Sequence, residues 1–206
     1  GRNVAIGYAA LETQDAGADA YNVAVGFNAG NAITTGLQNV FIGGLTGDAL
    51  TTGKHNVAVG FQSLSSANAG DFSVAIGHSA LREQSGASAG SNFYNVAVGY
   101  NAGLAMTTGV NNTLVGGLAG DAIVGGNNNI AMGHAALSTN VEGDSNVAVG
   151  FEALYTLNPA NGNSYNTAVG TQAGKLMTTA VQNTLIGGLA GDAITTGNSN
   201  VALGYD

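Results

Sequence analysis

The chain of 206 residues contains no cysteine and no tryptophan, a single proline, and only 4 basic residues against 12 acidic ones. Without cysteine there are no disulfides, no thiolate zinc sites, no iron–sulfur clusters and no thiol nucleophile, and the fold is indifferent to the redox state of its surroundings. The formal charge of −8 argues against a nucleic-acid partner. Charged residues make up 8% of the chain, against about 25% in ordinary soluble domains, which sets it apart from most enzymes. No apolar run approaches the roughly 18 residues of a membrane span, so the sequence predicts no membrane insertion by this segment. The opening Gly1-Arg2-Asn3 does not read as a signal peptide.

What the chain has in abundance is glycine, at 34 residues, with 45% hydrophobic residues. Collagen would need glycine at every third position and abundant proline, and a disordered chain would carry fewer apolar residues and more charge. Order through repetition is the remaining reading, and the repeat is explicit. The motif Asn-Val-Ala-Val-Gly starts at positions 3, 22, 39, 56, 73, 95, 112, 129, 146, 166, 183 and 200, with asparagine in all but the fifth, Ser73. Eight of the eleven intervals are 17 residues, so the unit is a 17-residue coil and three coils carry insertions.

Within each unit the second and fourth residues are aliphatic or Thr, a period of two that predicts a short β-strand. The fifth residue is invariably Gly, which predicts a corner. The structural corner positions are thus Asn22 and Gly26, Asn39 and Gly43, Asn56 and Gly60, Asn95 and Gly99, Asn112 and Gly116, Asn129 and Gly133, and Asn146 and Gly150. A second extended piece, as in Ala32-Ile33-Thr34-Thr35-Gly36 and Ala105-Met106-Thr107-Thr108-Gly109, predicts a second strand per coil. Helix is excluded by the recurrence of Gly, Asn and β-branched residues. The fold class that follows is all-β, a parallel β-solenoid or β-roll of about twelve 17-residue coils forming one repetitive segment over 1–206. Coils stack at about 4.8 Å, giving a rod of about 55 Å.

A longer period of four coils overlies the short one, with blocks starting near 22, 95 and 166. Gly43-Gly44-Leu45-Thr46-Gly47-Asp48 recurs at Gly116 and Gly187. In these coils the central Ala becomes Phe41, Leu114 or Leu185, while the aromatic after the fixed Gly becomes Gly, which reads as volume exchange within one packed layer. The insertions, 12–21, 82–94 and 155–165, each close with Tyr before Asn and are expected along one edge. They supply the candidate receptor-contact residues Arg82, Glu83, Phe93, Tyr94, Tyr155, Asn161, Asn163 and Tyr165, with Pro159 among them. Tyr and Asn can stack on and hydrogen-bond to sugars or protein surfaces, and the competing reading is that the loops merely cap the coil.

Other chemistry is thin. Asp48, Asp121 and Asp192 lie four coils apart, too far to share a calcium ion, and read as turn residues. His78 and His134 share the column after the fixed Gly, and His55 lies in a corner; a symmetric ring of histidines could bind a metal, whereas the Tyr and Phe in the same column favour a filler role. No catalytic triad, carboxylate pair or phosphate-binding motif stands out, so the sequence predicts neither an enzyme nor a cofactor. The Thr-Thr pairs suggest an ice-binding array, against which adjacent Thr side chains point to opposite faces and several coils lack the pair.

Apolar residues on both faces of the strand predict that one face fills the coil and the other packs on another subunit, so an oligomer is expected. Here the repeat resembles known proteins. Asn95-Val96-Ala97-Val98-Gly99-Tyr100-Asn101-Ala102-Gly103 with Thr107-Thr108-Gly109-Val110-Asn111-Asn112 is similar to repeats of bacteriophage tail fibres, and Ser73-Val74-Ala75-Ile76-Gly77 is similar to the head repeat of trimeric autotransporter adhesins. The latter resemblance implies a parallel homotrimer of left-handed coils; both imply an extracellular fibre, on a virion or bacterial surface, that attaches to a cell-surface glycan or protein. Adhesin coils are shorter, which tilts the likeness toward the phage type, with a bacterial adhesin head or an ice-binding solenoid as alternatives. Because the chain starts and stops within a repeat, it is expected to be part of a longer fibre.

Overall fold

The computed structural model describes residues 1–86, 90–160 and 162–206. Among them are twelve three-residue strands that begin one residue after each Asn or Ser of the repeat and stop one residue before each fixed Gly, from Val4–Ile6 to Val201–Leu203. They form one wholly parallel twelve-stranded sheet in which each strand pairs with the next along the chain. Register is strictly in phase: Val23, Ala24 and Val25 face Val40, Phe41 and Ile42, and so on through Thr184, Leu185 and Ile186 against Val201, Ala202 and Leu203. Each turn of chain is therefore one coil of a β-solenoid, numbered below as coils 1–12 by the starting positions of the motif.

Hydrogen bonds run both ways along the axis. In coil 2, Val23 N–H donates to the Asn39 carbonyl of the next coil at 2.8 Å, and Gly26 N–H donates to the Ile6 carbonyl of the previous one at 2.8 Å. Each of the ten interior coils is thus clamped between two neighbours, and the energetics are those of a one-dimensional stack.

The fixed Gly column is imposed by this spacing. Gly60 has φ +131°, and a Cβ there would lie 2.5 Å from the carbonyl oxygen of Gly77 in the next coil. No L-residue with a side chain tolerates both the dihedral and the contact. After Gly the chain makes two tight turns, closed in coil 2 by Ala29 N–H to the Gly26 carbonyl and Asn31 N–H to the Asn28 carbonyl. Asn28 (φ 53°) and Gly30 (φ 59°) supply the left-handed residues these turns need.

The second extended piece is not a strand. Thr34-Thr35-Gly36 and its counterparts are bends that reach the next coil at one carbonyl, as in Thr34 N–H to the Thr51 carbonyl at 2.8 Å. Adjacent Thr residues cannot alternate about a flat strand where the backbone must curve within two or three residues.

The core is a narrow file of side chains inside the coils: the central strand residues, a Leu column in the turn (Leu64, Leu81, Leu137, Leu154) and an Ile, Leu or Met column (Ile33, Leu50, Met106, Ile123, Met177), all buried. Volume exchange is real but involves other partners than the sequence suggested. Phe41 is fully buried, whereas Phe27 and Phe61 point outward and are about half exposed. What makes room for Phe41 is Gly30 and Gly47, in the turn column that holds Leu in coils 1, 4, 5, 8 and 9: a Cβ on either would come within 2.8 Å of the Phe41 ring.

Candidate interaction surface

The outward geometry follows from the period of two. With the central strand residue and the motif Asn turned inward, four columns face out: the residue before Asn, the first and third strand residues, and the residue after the fixed Gly. Residues of the two strand columns are half-buried or exposed along the rod, with Ile42, Ile76, Ile130, Met132 and Ile186 each about 40% exposed. The chain has sixteen formally charged residues, yet of the forty-eight positions in these four columns only Arg2 carries a formal charge. The result is a stripe of Val, Ile and Thr bounded by two corners. Parallel sheets ordinarily have both faces covered, so a bare apolar outer face is an unfinished one.

Both corners carry aromatic ladders. On the side before Asn, His55 stacks on Phe72 at 4.8 Å between ring centroids and Phe72 on Tyr94 at 5.2 Å. On the side after Gly, Phe61, His78 and Tyr100 follow one another at 5.5 Å, Tyr8 stacks on Phe27 at 5.6 Å, and His134 on Phe151 at 5.7 Å. The first column lies wholly in the left-handed region, with φ of 59° at His55, 62° at Phe72 and 52° at Tyr94. Asn or Gly would adopt that conformation more easily, so large rings there carry a conformational cost that the fold alone does not require.

Beneath this face lies a ladder of buried amides. The Asn112 side-chain oxygen accepts from Asn129 N–H at 2.9 Å, while its Nδ2 donates to the Gly126 carbonyl at 2.9 Å. The pattern repeats from coil to coil and satisfies backbone groups that the sheet leaves over. It breaks at Ser73, where the sequence loses its Asn. There Gln84 reaches in: its Nε2 donates to Ser73 Oγ at 2.9 Å and its Oε1 accepts from Asn95 Nδ2 at 3.0 Å. Gln84 is buried, and sequence reasoning missed it, although a polar residue in the Ile/Leu/Met column of the one coil without Asn was the available signal.

The insertions occupy coils 1, 5 and 9 at one edge, and the regular bonding continues through Asp15, Ser85 and Asn158, each of whose N–H groups donates to the following coil. Arg82, Glu83 and Tyr155 therefore belong to regular turns and not to the projecting segments; Arg82 and Glu83 pair with each other at 2.7 Å. Phe93 is buried against Gly70 and Gly86 and anchors its loop from within. Tyr94 and Tyr165 are about half exposed, as is Tyr21. Asn163 is exposed, accepts from Ser145 Oγ at 3.0 Å, and lies in a two-residue pairing of Gly162–Asn163 with Gly143–Asp144. Pro159 is buried, and Asn161 lies outside the described residues. The structure thus joins Tyr94 to His55 and Phe72 and leaves Arg82, Glu83 and Tyr155 apart from it.

No family model, curated protein or solved structure matches the chain.

The other candidate groups are placed as follows. The Asp121 carboxylate accepts from Ser138 Oγ at 2.6 Å. Burial holds the carboxyl groups of Asp48 and Asp121 above the ordinary range, with hydrogen bonds to backbone and, for Asp121, to Ser138 opposing it. Among the described residues no three His, Asp or Glu side chains converge into a metal-binding set. The hydroxyls of Thr34, Thr51, Thr107 and Thr178 are directed at carbonyls of the following coil, so they are not a free array facing water.

Proposed function

We propose that this chain is a structural segment of an extracellular trimeric fibre of the phage tail-fibre type, whose work is to hold an attachment function at a distance from the particle that bears it. The observation that carries the reading is the outward face: twelve parallel strands presenting Val, Ile and Thr without charge, on a coil too thin to bury them itself. The face is about 55 Å long by at most about 20 Å wide, roughly 1,000 Å² per chain, and a stable interface asks for about 800 Å² per partner. Attachment by such a fibre is multivalent, so weak contacts at each chain add through effective concentration. Of the loop candidates, Asn163 is exposed and lies outside the corner columns, and it is the contact we assign to a cell-surface glycan or protein.

The test is the native mass of the segment by light scattering. A mass of three 20.2 kDa chains is expected. A stable monomer at micromolar concentration overturns the reading.

A further inference from the structure

The residues at the two corners of the outward face vary along the rod, and they vary together. In coils 3, 7 and 11 the corner after the fixed Gly is itself reduced to glycine, at Gly44, Gly117 and Gly188, and in each of these coils the opposite corner is an amide, Gln38, Asn111 or Gln182. In coils 4, 5 and 6 both corners are aromatic: His55 with Phe61, Phe72 with His78, and Tyr94 with Tyr100. The two three-ring ladders span the same three coils and stop together at the same notches. The correlation is absent from coils 8–10 and 12, where His134, Phe151 and Tyr205 lie opposite Asn128, Ser145 and Ser199, and Tyr165 opposite Thr171.

The four-coil period accounts for the recurrence of the pair in coils 3, 7 and 11, but among the described residues no ring contact ties the two corners of one coil together. The two corners of a coil are separated by the strand and by the Val and Ile columns, and the ring contacts run along each ladder, none of them across the face. A relation between the corners acts only where the corner of one chain meets the opposite corner of another at the same height. We propose that this chain assembles with copies of itself in register around a cyclic axis, so that the corner before Asn of each copy seats against the corner after Gly of the next, amide into glycine notch and ring against ring. The proposal rests on the fibre reading above and adds to it the contact, the register and the exclusion of an antiparallel two-fold arrangement, in which like corners would meet.

The geometry favours three copies. Six residue steps reach at most about 20 Å, and three flat faces of that width closing a triangular prism stand about 6 Å from the axis. That is the reach of one Val or Ile side chain, so the strand columns fill the centre while the corners meet at the edges. Four copies would stand about 10 Å from the axis and leave it open. The notches fix axial position, since a slip of one coil would set a ring, Tyr21 or His55, against the Gly44 notch and the Gln38 amide against Phe27 or Phe61.

The chain lacks cysteine, so the contact can be read by introduced thiols. Asn111 and Gly117 suit this: Gly117 is not at positive φ, and a Cβ there meets only the His134 ring, at 3.6 Å, and the Tyr100 carbonyl, at 4.0 Å. Under mild oxidation N111C/G117C is expected to run as a covalent trimer on a denaturing gel. Neither single variant should cross-link, nor should N111C/G44C, whose thiols are four coils out of register. A trimeric N111C/G117C that stays unlinked overturns the corner contact while leaving the fibre reading intact. Cross-linked single variants would show like corners meeting and overturn the cyclic arrangement. A cysteine-free parent that is monomeric by mass removes both readings together.

Discussion

At the scale of single residues, the coil is held by positions that admit only one kind of side chain. Gly60 is one: alanine there meets the Gly77 carbonyl at 2.5 Å and must hold φ +131°, so overpacking and backbone strain add. Gly60→Ala is expected to cost about 3 kcal/mol or more in urea unfolding. Gly17, at φ +64° with open space around it, is the control, and Gly17→Ala should cost about 1 kcal/mol. Equal costs would show that coil spacing does not impose the column. Asp121 gives a pH signature. Burial raises its carboxyl above the ordinary 3.8, so over a window starting near that value the folded state holds protons that the unfolded state has released, and stability falls as pH rises. Asp121→Asn keeps a partner for Ser138 and removes the buried charge. It should be more stable than the parent at pH 7, with the advantage shrinking as pH drops through the ordinary carboxylate range. A gain that persists unchanged at pH 3 would rule out ionisation as its source.

At the scale of the coil, what was legible in the sequence was whatever recurred in a column. The strand, the Gly corner and the Asn ladder stand out because stacking in phase forces identical environments on identical positions, as in the pairing of Val57 with Val74. What escaped was anything whose meaning depends on the inward or outward direction of a turn. Leu64 and Leu81, at φ 53° and 48°, point into the core from positions that otherwise hold Gly, and no propensity argument places Leu in the left-handed region. The exchange of Phe41 against Gly30 was misassigned to the outward aromatics for the same reason: the turn between them reverses direction. Thr-Thr-Gly reads as strand because β-branched residues ordinarily signal one, whereas here the hydroxyl of the first Thr, as at Thr34 and Thr51, bonds the next coil and stabilises a bend. The candidate loop residues divided along the same line, since Arg82 and Tyr155 sit in ordinary turns that happen to adjoin an insertion. Gln84 supplies the test at this scale. Gln84→Leu leaves Ser73 Oγ and one Asn95 proton unpaired in a buried site and should cost about 2 kcal/mol. The ladder also pairs Asn with Leu, as at Asn39 with Leu50 and Asn146 with Leu157, so Ser73→Asn added to Gln84→Leu should recover most of the loss. Additive losses in that double-mutant cycle would mean that Gln84 is not standing in for the missing Asn.

At the scale of the whole molecule, the proposed assembly superposes two kinds of stability that can be separated. Within the chain, each coil depends on its neighbours through axial hydrogen bonds and a thin core, which makes the rod a linear array. In the proposed assembly, stability across the outward face depends also on burying the strand columns between copies. Val115 distinguishes them, because its side chain belongs to the face while its backbone belongs to the sheet and its neighbour Leu114 to the core. Val115→Lys leaves the sheet bonds, the Asn ladder and the core as they were and places a charge in the middle of the apolar stripe. If copies cover the face, three lysines meet near the axis, the complex dissociates, and light scattering gives one chain while circular dichroism still reads β-structure at low temperature. The apparent melting temperature should then lose its dependence on protein concentration, since association no longer contributes to it. A variant that keeps the parent's mass and melting point would mean that Val115 faces solvent in the assembly. The covered surface would then have to be sought elsewhere on the coil.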